Sequence, residues 1–412
     1  MLDLKLIREY PDKVREAIAS RQSSAPIDEL LKNDTLRRNK IHKLDELRRQ
    51  RKELSKNRSV DPEAGRILRE KLSELEEELR KIDSLIQDYL LQIPNMPQDS
   101  TPFGKSEADN IVLRYQGQKK GFDFTPKPHW ELGENLGIID FERGVKLSGS
   151  RFYVLKNAGA RLQRALISLF LDLHTQKHGY NEMYLPFLVK KEALYGSGNL
   201  PKFADNLYRD EIDDLWLVPT AEVPLTNLHR DEIIAESQLP LNYCAFTACF
   251  RREKMSAGKD TRGIKRGHQF DKVELYKFTD PENSNNELEN LLDDAENVVK
   301  ALELPYRIIQ LCTADIGFAS SKSYDIEIWS PGIDEWLEVS SCSNCLDFQA
   351  RRANIRYRRK KDGKTHYVHT LNGSGLALPR VLIAVLENYQ QSDGSIVIPA
   401  ALRPYMHIDT IK

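Results

Sequence analysis

The sequence predicts an α+β protein in which an N-terminal antiparallel helical hairpin precedes a larger domain of strands and helices. Three observations support this class: a heptad pattern of apolar residues over 68–93, a proline-rich stretch at 93–104, and two strand-like runs that flank a long basic loop within 250–274. A chain of 412 residues, 40% of them hydrophobic, is long enough for two or three domains with a substantial core.

The heptad pattern predicts a long helix with one apolar stripe. Its members alternate in spacing between four and three: Leu68, Leu72, Leu75, Leu79, Ile82, Ile86, Tyr89 and Ile93. The preceding helix, about 28–57, has leucines in register but is interrupted by Asn33, Arg37, Lys40 and Arg51. A turn at 57–65 contains Pro62 and Gly65, so the two helices should pair antiparallel as an arm from about 28 to 93.

Charge is divided unevenly between these two helices. Residues 35–58 contain ten Lys/Arg and three Asp/Glu, whereas residues 66–88 contain five and seven. The first helix is therefore the expected nucleic-acid face, although charges that only solvate a coiled coil would give the same pattern in an isolated arm. The whole chain has a net charge of −1, so a nucleic acid would have to be bound by local basic surface.

Composition also sets the domain boundary and the compartment. The linker at 93–104 predicts domains at 1–102 and 103–412. No apolar run is long enough to span a membrane and the first residues lack a signal-peptide core, so we expect a cytoplasmic protein without a membrane partner. The odd number of cysteines fits a reducing compartment, and Cys342 and Cys345 lack a second ligand pair, so no zinc is expected.

The basic loop lies between two strands, predicted at 243–251 and 268–278. Residues 251–274 contain eight Lys/Arg and four Asp/Glu, which suits a polyanionic ligand. Side-chain alternation places Arg251 and Glu253 on one face, and Phe270, Lys272 and Glu274 on one face of the returning strand. An arginine can bind phosphate oxygens, a ring can stack on a base, and a carboxylate can bind an ammonium group.

The segment FRREKMSAGKDTRGIKRGHQFDKVE resembles motif 2 of the class II aminoacyl-tRNA synthetases, and its parts DTRG, Arg266 and HQFDKVE resemble the seryl-tRNA synthetase version. The resemblance extends over essentially the whole chain. It implies an antiparallel class II sheet flanked by helices, with an N-terminal coiled-coil arm that binds tRNA(Ser) by shape and backbone contacts. The helix at 161–178 and the strand after it resemble motif 1 and imply a homodimer, although an ordinary core helix would give the same pattern.

Two further motifs surround motif 2. The run TAE at 220–222 resembles the serine-binding motif of the family, which implies that Glu222 and Glu274 contact the ammonium and hydroxyl groups of serine. The run GLALPR at 375–380 resembles motif 3, after a strand that the NGSG sequence at 372–375 is expected to break. Pro379 fits the first turn of the following helix, so Arg380 should lie beside a helix N-terminus that favours an anion.

The run EVSS at 338–341 resembles the part of the family that contacts ATP and its metal. Mg²⁺ is normally bound by one or two carboxylates together with substrate phosphates, which makes Glu338 the candidate ligand. Strict alternation places Glu338 and Ser340 on one face of the strand. A role for Ser341 would therefore require the strand to end or bulge there.

The resemblance implies a complete set of site residues. Catalytic roles fall to Arg251, Glu253, Arg266 and Arg380. Serine binding falls to Thr220, Ala221, Glu222, Arg251, Glu274, Asn372 and Ser374. ATP binding falls to Arg251, Arg252, Glu253, Arg266, Phe270, Glu338, Val339, Ser340, Ser341 and Arg380. The residues implied to bind the Mg²⁺ that accompanies ATP are Glu338 and Ser341.

The implied reaction is activation of L-serine by ATP to seryl-adenylate, followed by transfer to the 3′ end of tRNA(Ser), with tRNA(Sec) as a second candidate acceptor. Two alternatives remain open. A synthetase-like ligase that loads a carrier protein would share the core, but the arm at 28–93 counts against it. A non-catalytic RNA-binding paralogue should have lost Arg251, Glu253, Glu338 or Arg380, and all four are present.

Overall fold

The computed structural model describes residues 1–55, 62–254 and 262–412. The chain forms two compact units, Met1–Met96 and Pro97–Lys412, so the boundary lies six residues before the predicted one. The physical reason is hydrogen bonding: the backbone N–H of Gln98 and the hydroxyl of Thr101 both donate to the carbonyl oxygen of Ser321, at 2.9 and 2.8 Å. Residues 97–102 are therefore part of the second unit.

The first unit is helical within the residues described. Its helices are α1 (Leu4–Glu9), α2 (Pro11–Ser20), α3 (Ile27–Leu54) and α4 (Pro62–Gln92). Helices α3 and α4 pair antiparallel, which confirms the predicted hairpin. Residues 62–65 of the predicted turn belong to the first turn of α4, and residues 57–61 lie outside the described part of the chain.

The apolar stripe of α4 is buried as predicted except near its end. Leu68, Leu72, Leu75 and Leu79 form one apolar cluster with Leu44 of α3, and Ile41, Leu47 and Leu54 of α3 pack against it. In the last turn Leu90 is buried at 6% exposure, in place of the predicted Tyr89. The period of a straight α-helix is 3.6 residues, so its buried face drifts away from a strict heptad pattern over several turns.

Two of the basic residues that interrupt the α3 stripe form ion pairs with α4. Arg37 Nε lies 2.5 Å from a carboxylate oxygen of Asp83, and Lys40 Nζ lies 2.6 Å from one of Glu78. These two interruptions of the 28-residue helix are therefore matched by acidic residues across the hairpin.

The second unit contains the remaining helices and all the strands that the structure describes. The helices are α5 (His129–Asn135), α6 (Phe141–Ser148), α7 (Ala158–Gln176), α8 (Lys191–Ser197), α9 (Glu222–Asn227), α10 (Ser284–Ala301), α11 (Phe348–Ala353), α12 (Leu378–Asn388) and α13 (Arg403–Met406). The strands are β1 (Ile111–Gln116), β2 (Ile139–Asp140), β3 (Val154–Leu155), β4 (Asn181–Glu182), β5 (Leu188–Lys190), β6 (Leu215–Leu217), β7 (Ile233–Ala235), β8 (Leu241–Phe250), β9 (Gln269–Thr279), β10 (Tyr306–Gln310), β11 (Lys322–Ser330), β12 (Glu335–Asn344), β13 (Arg356–Arg358), β14 (Thr365–Tyr367), β15 (His369–Ala377), β16 (Ile396–Val397) and β17 (Thr410–Ile411).

Among the described residues, eight strands form one sheet in the order β1-β10-β11-β12-β15-β9-β8-β4. Every neighbouring pair is antiparallel except β4 with β8. Helices α7, α10 and α12 pack against the sheet around the main core, which includes Val273 and Leu275 of β9. This is the predicted antiparallel sheet flanked by helices. The opposite face of β9 presents Lys272 and Glu274.

One predicted element changed. The strand β15 continues through residues 372–375 with a bulge between Ser374 and Leu376, so the prediction of a break there was wrong. The glycines allow close approach instead: a Cβ on Gly373 would lie 3.0 Å from Cys342 Sγ, and one on Gly375 would lie 2.9 Å from His174 Nε2. In the described ranges, no helix is long and apolar enough to cross a membrane.

Candidate active site

A cavity of about 550 Å³ lies over the sheet face formed by β9, β12 and β15, beside the start of α12. It brings together most of the residues that the sequence singled out. Those that line it are Thr220, Glu222, Arg251, Glu253, Arg266, Phe270, Glu274, Glu338, Ser341, Asn372, Ser374 and Arg380. Ala221, Arg252, Val339 and Ser340 are not among the lining residues.

One end of the cavity is built around the carboxylate of Glu274, which is 1% exposed. Its Oε2 accepts a hydrogen bond from the Thr220 hydroxyl at 3.0 Å and forms an ion pair with Lys272. Its Oε1 is buried and has no hydrogen-bond partner among the described residues. A buried carboxylate oxygen of this kind is a strong acceptor for a polar ligand group, because leaving it unpaired is costly.

A second carboxylate, that of Glu222, lies at the same end. Glu222 begins α9, and its backbone N–H donates to the Thr220 hydroxyl at 3.2 Å, so the start of this helix brings the two residues together. Burial, and then the negative charge of Glu274, raise the pKa of Glu222 to about 7. Gln349 donates to Glu222 Oε1 at 2.6 Å.

Gln349 was missed at the sequence level. Its amide oxygen accepts hydrogen bonds from the hydroxyls of Tyr276 and Thr370, and its amide nitrogen donates to the Ser197 carbonyl as well as to Glu222. These four hydrogen bonds fix the orientation of the Gln349 amide. Gln349 lies in the run FQARRA, where no sequence pattern distinguishes it as a site residue.

The middle of the cavity combines an arginine with an aromatic ring. The Nε of Arg251 donates to the Pro219 carbonyl at 3.1 Å, and its guanidinium carbon lies 5.1 Å from the centroid of the Phe270 ring. Strand β8 ends at Phe250 and Glu253 has a φ of +49°, so the predicted shared strand face of Arg251 and Glu253 was wrong. Both side chains nevertheless line the cavity, and Glu253 lies 3.8 Å from Arg266.

At the other end, Glu338 and Ser341 line the cavity together because β12 bulges between them. Ser340 pairs with Ile326 and Glu338 with Glu327, so Val339 is the additional residue. Arg380, the third residue of α12, donates to the Glu338 carbonyl oxygen at 2.6 Å and lies 3.2 Å from its carboxylate. Desolvation opposes ionisation of Glu338, but Arg380 and then Arg251 outweigh it and lower the pKa of Glu338.

Asp325 is a further acidic group, which lines a neighbouring cavity together with Glu338 and Ser341. The sequence did not reveal it because it alternates with apolar residues in an ordinary strand pattern. It pairs across the sheet with Ser341 and is 8% exposed. Its Oδ1 is buried without a hydrogen-bond partner in the residues described. Burial, and then the charge of Glu338, hold the pKa of Asp325 well above its usual range.

Four predicted side chains lie elsewhere. Ala221 and Val339 are buried in the apolar core, and the Ser340 hydroxyl donates to the Ser374 carbonyl at 2.6 Å. The bulge at Val339 turns both β12 residues inward. Arg252 donates to the Leu207 carbonyl at 3.0 Å, stacked on a tyrosine ring. Residues 255–261 of the motif 2 loop lie outside the described ranges.

Comparison with known protein families agrees with this geometry. The profile of the tRNA synthetase class II core domain (G, H, P, S and T) matches residues 203–389, and that of the seryl-tRNA synthetase N-terminal domain matches residues 1–97. Fold, site and profiles together define a class II aminoacyl-tRNA synthetase, an enzyme that joins an amino acid to tRNA.

Full-length relatives show which family within this class the chain belongs to. A serine–tRNA ligase of Dehalococcoides mccartyi is 64% identical and covers 100% of both chains, and one of Thermomicrobium roseum is 56% identical over 98% of this chain and 93% of its own. The crystal structure of seryl-tRNA synthetase from Pyrococcus horikoshii complexed with ATP superposes with a TM-score of 0.93 at 39% identity, covering 100% of this chain and 99% of that one. The chain belongs to the seryl-tRNA synthetase family.

Proposed function

We propose that the chain activates L-serine with ATP and transfers the seryl group to tRNA(Ser). The observation that carries the proposal is the buried, unpaired Oε1 of Glu274, located in the same cavity as Arg251 and Arg380. The acidic end suits the ammonium and hydroxyl groups of serine. The two arginines, with Phe270 against Arg251, suit the phosphates and the base of ATP.

The reaction follows from this arrangement. The carboxylate of serine attacks the α-phosphorus of ATP, a new phosphorus–oxygen bond forms, and pyrophosphate leaves. Arg251 and Arg380 neutralise charge that develops on the phosphate oxygens, and binding of both substrates in one cavity supplies orientation. The terminal ribose hydroxyl of tRNA then attacks the carbonyl carbon of seryl-adenylate, and AMP leaves. The protein need not supply a covalent nucleophile.

The end of the cavity beside Glu338 and Ser341 of β12 has the oxygen groups to bind the Mg²⁺ that would accompany ATP. Mg²⁺ prefers oxygen ligands, and Glu338 and Ser341 offer a carboxylate and a hydroxyl on one side of the cavity. The unpaired Oδ1 of Asp325 provides a further buried acceptor close by. Bound there, the ion would neutralise phosphate charge. Arg380 would then exchange its contact with Glu338 for the phosphates.

Recognition of the serine hydroxyl should supply the specificity. Alanine would leave Glu274 Oε1 and its neighbours without a polar partner, which costs more than the loss of one contact. Glu222, Asn372 and Ser374 line the same end and complete the proposed serine site.

The basic helix α3 is the proposed tRNA-binding element. Lys43, Arg49 and Lys52 are exposed, and the described residues offer none of them an ion pair. They are therefore suitable contacts for tRNA phosphates, which the family resemblance also implies. The homodimer, the cytoplasmic location and any charging of tRNA(Sec) stay predictions.

Pyrophosphate exchange and tRNA charging together test the proposal. The full chain should exchange pyrophosphate into ATP with serine and not with alanine. The triple variant Lys43→Ala, Arg49→Ala, Lys52→Ala should retain this exchange, while its KM for tRNA(Ser) rises by about tenfold and becomes less sensitive to salt. Exchange with another amino acid but not serine would refute the serine specificity. Unchanged tRNA charging by the triple variant would refute the role of α3.

A further inference from the structure

A buried histidine outside the cavity connects the segments that carry two of its three arginines, Arg266 and Arg380. His129, in α5, is 0% exposed. Its Nδ1 lies 2.9 Å from Glu387 Oε1, and its Nε2 lies 3.2 Å from the backbone nitrogen of Ile264. Ile264 is two residues before Arg266, and Glu387 is on α12, the helix that begins beside Arg380.

The tautomer of His129 follows from these contacts. The N–H of Ile264 can only donate, so Nε2 must be the unprotonated nitrogen. The proton is then on Nδ1 and is donated to Glu387. The ring is neutral and accepts at one end while it donates at the other, which fixes its orientation.

Glu387 is itself fully buried and saturated with donors. Its Oε1 accepts from both the backbone N–H and the ring of His129, and its Oε2 accepts from the Ser330 hydroxyl and from the Gly332 N–H at 2.8 Å. The carboxylate therefore cannot rotate without leaving buried donors unpaired. It is a rigid support for the ring.

The loop segment that contacts His129 has little freedom on its own side. Ile264 is fully buried, and the guanidinium carbon of Arg262 lies 4.9 Å from the centroid of the Trp130 ring. Gly263 has a φ of +77°, and a Cβ there would overlap the His129 ring. Only glycine, which lacks a Cβ, fits at position 263 without displacing the imidazole of His129.

We propose that His129 is a positioning residue for ATP: by accepting the Ile264 N–H it places Arg266 in the cavity, and through Glu387 it ties that placement to the helix of Arg380. The inference rests on the proposed function, since Arg266 and Arg380 are assigned to ATP there. Arg266 lines the cavity 3.8 Å from Glu253, so a shift of the chain at Ile264 would move it relative to the phosphates.

Two substitutions separate the two ends of the ring. The amide of asparagine reaches the position of Nδ1 and keeps a donor for Glu387, whereas the amide of glutamine reaches the position of Nε2 and keeps an acceptor for Ile264. His129→Asn should raise the KM for ATP in serine-dependent pyrophosphate exchange by about tenfold, because it loses the acceptor for a buried N–H. His129→Gln should keep the KM for ATP within about twofold. The KM for serine should not change in either variant.

Hydrogen exchange of the Ile264 amide in the full chain gives a second measurement that does not depend on activity. Exchange should accelerate in His129→Asn and not in His129→Gln. If His129→Asn folds poorly, Gly263→Ala takes its place, because a Cβ at position 263 displaces the ring from the loop side. Gly263→Ala should also raise the KM for ATP and accelerate exchange of the Ile264 amide. His229→Asn is the control, since it removes a comparable histidine that contacts Glu232 and Tyr243. It should leave the KM for ATP unchanged.

Equal KM values for ATP in His129→Asn and wild type, with unchanged exchange at Ile264, would overturn the inference and leave a structural role only. An equal rise of the KM for ATP in His129→Gln would also overturn it, because loss of the acceptor for the Ile264 N–H would then not explain the rise. If wild-type protein shows no exchange with serine, the proposed function fails first, and the amide measurement still tests the contact with Ile264.

Discussion

The α3–α4 hairpin and the catalytic cavity use the same residue types in opposite ways. In the hairpin, Arg37 and Asp83 form an ion pair with side chains 36% and 52% exposed, where water and salt screen the interaction. In the cavity, Lys272 and Glu274 form one with side chains 9% and 1% exposed. Buried charges are costly to separate from their partners and respond strongly to a ligand, whereas exposed charges can be exchanged for tRNA phosphates.

The largest effect should come from the cavity. Arg380→Ala removes a cation that stabilises charge developing on the phosphates, so serine-dependent pyrophosphate exchange should fall by about 100-fold or more. Measurement of kcat/KM for ATP gives the result. Arg403→Ala is the matched control, because Arg403 forms its ion pair with Asp409 and does not line the cavity. A loss of less than tenfold in Arg380→Ala would contradict the assignment.

An intermediate effect should come from protonation of Glu222. Its pKa is raised to about 7, and the ammonium group of serine interacts favourably only with the ionised form. Below pH 7 serine must displace a proton, so its KM should rise by up to about tenfold per pH unit, and above pH 8 it should be constant. Exchange kinetics from pH 6 to pH 8.5 measure this. A KM that is constant over the whole range would show that Glu222 is already ionised or does not bind serine.

The smallest effect should come from the hairpin surface. A double-mutant cycle with Arg37→Ala and Asp83→Ala should give a coupling free energy of about 0.2–1 kcal/mol, and less in high salt. Urea unfolding measures it. Ile82→Ala, in the buried stripe beside Asp83, should cost about 2–5 kcal/mol and serves as the comparison. A coupling comparable with the Ile82→Ala loss would contradict the weak, screened character that distinguishes this ion pair from the buried one in the cavity.

Local patterns were sufficient for much of this molecule. The stripe from Leu68 to Ile86 predicted α4, and the two strands of motif 2 were placed within two residues of β8 and β9, because periodicity is a property of the chain itself. Most of the site residues that the motifs named do line the cavity. The ion pairs of Arg37 and Lys40 with α4 could not be predicted, since each needs a partner about forty residues away.

The sequence by itself determined the helical hairpin, because that depends on spacing and residue type, and its motifs carried the family resemblance that implies the antiparallel class II sheet. Only the tertiary structure decided which side chains face the cavity. The bulge at Val339 turns Ser341 toward it and Ser340 away, the helix start at Glu222 joins that residue to Thr220, and the hydrogen bonds of His129 join Ile264 to Glu387. A one-residue bulge reverses the alternation that a sequence pattern assumes, and a hydrogen bond between distant segments leaves no periodic signal.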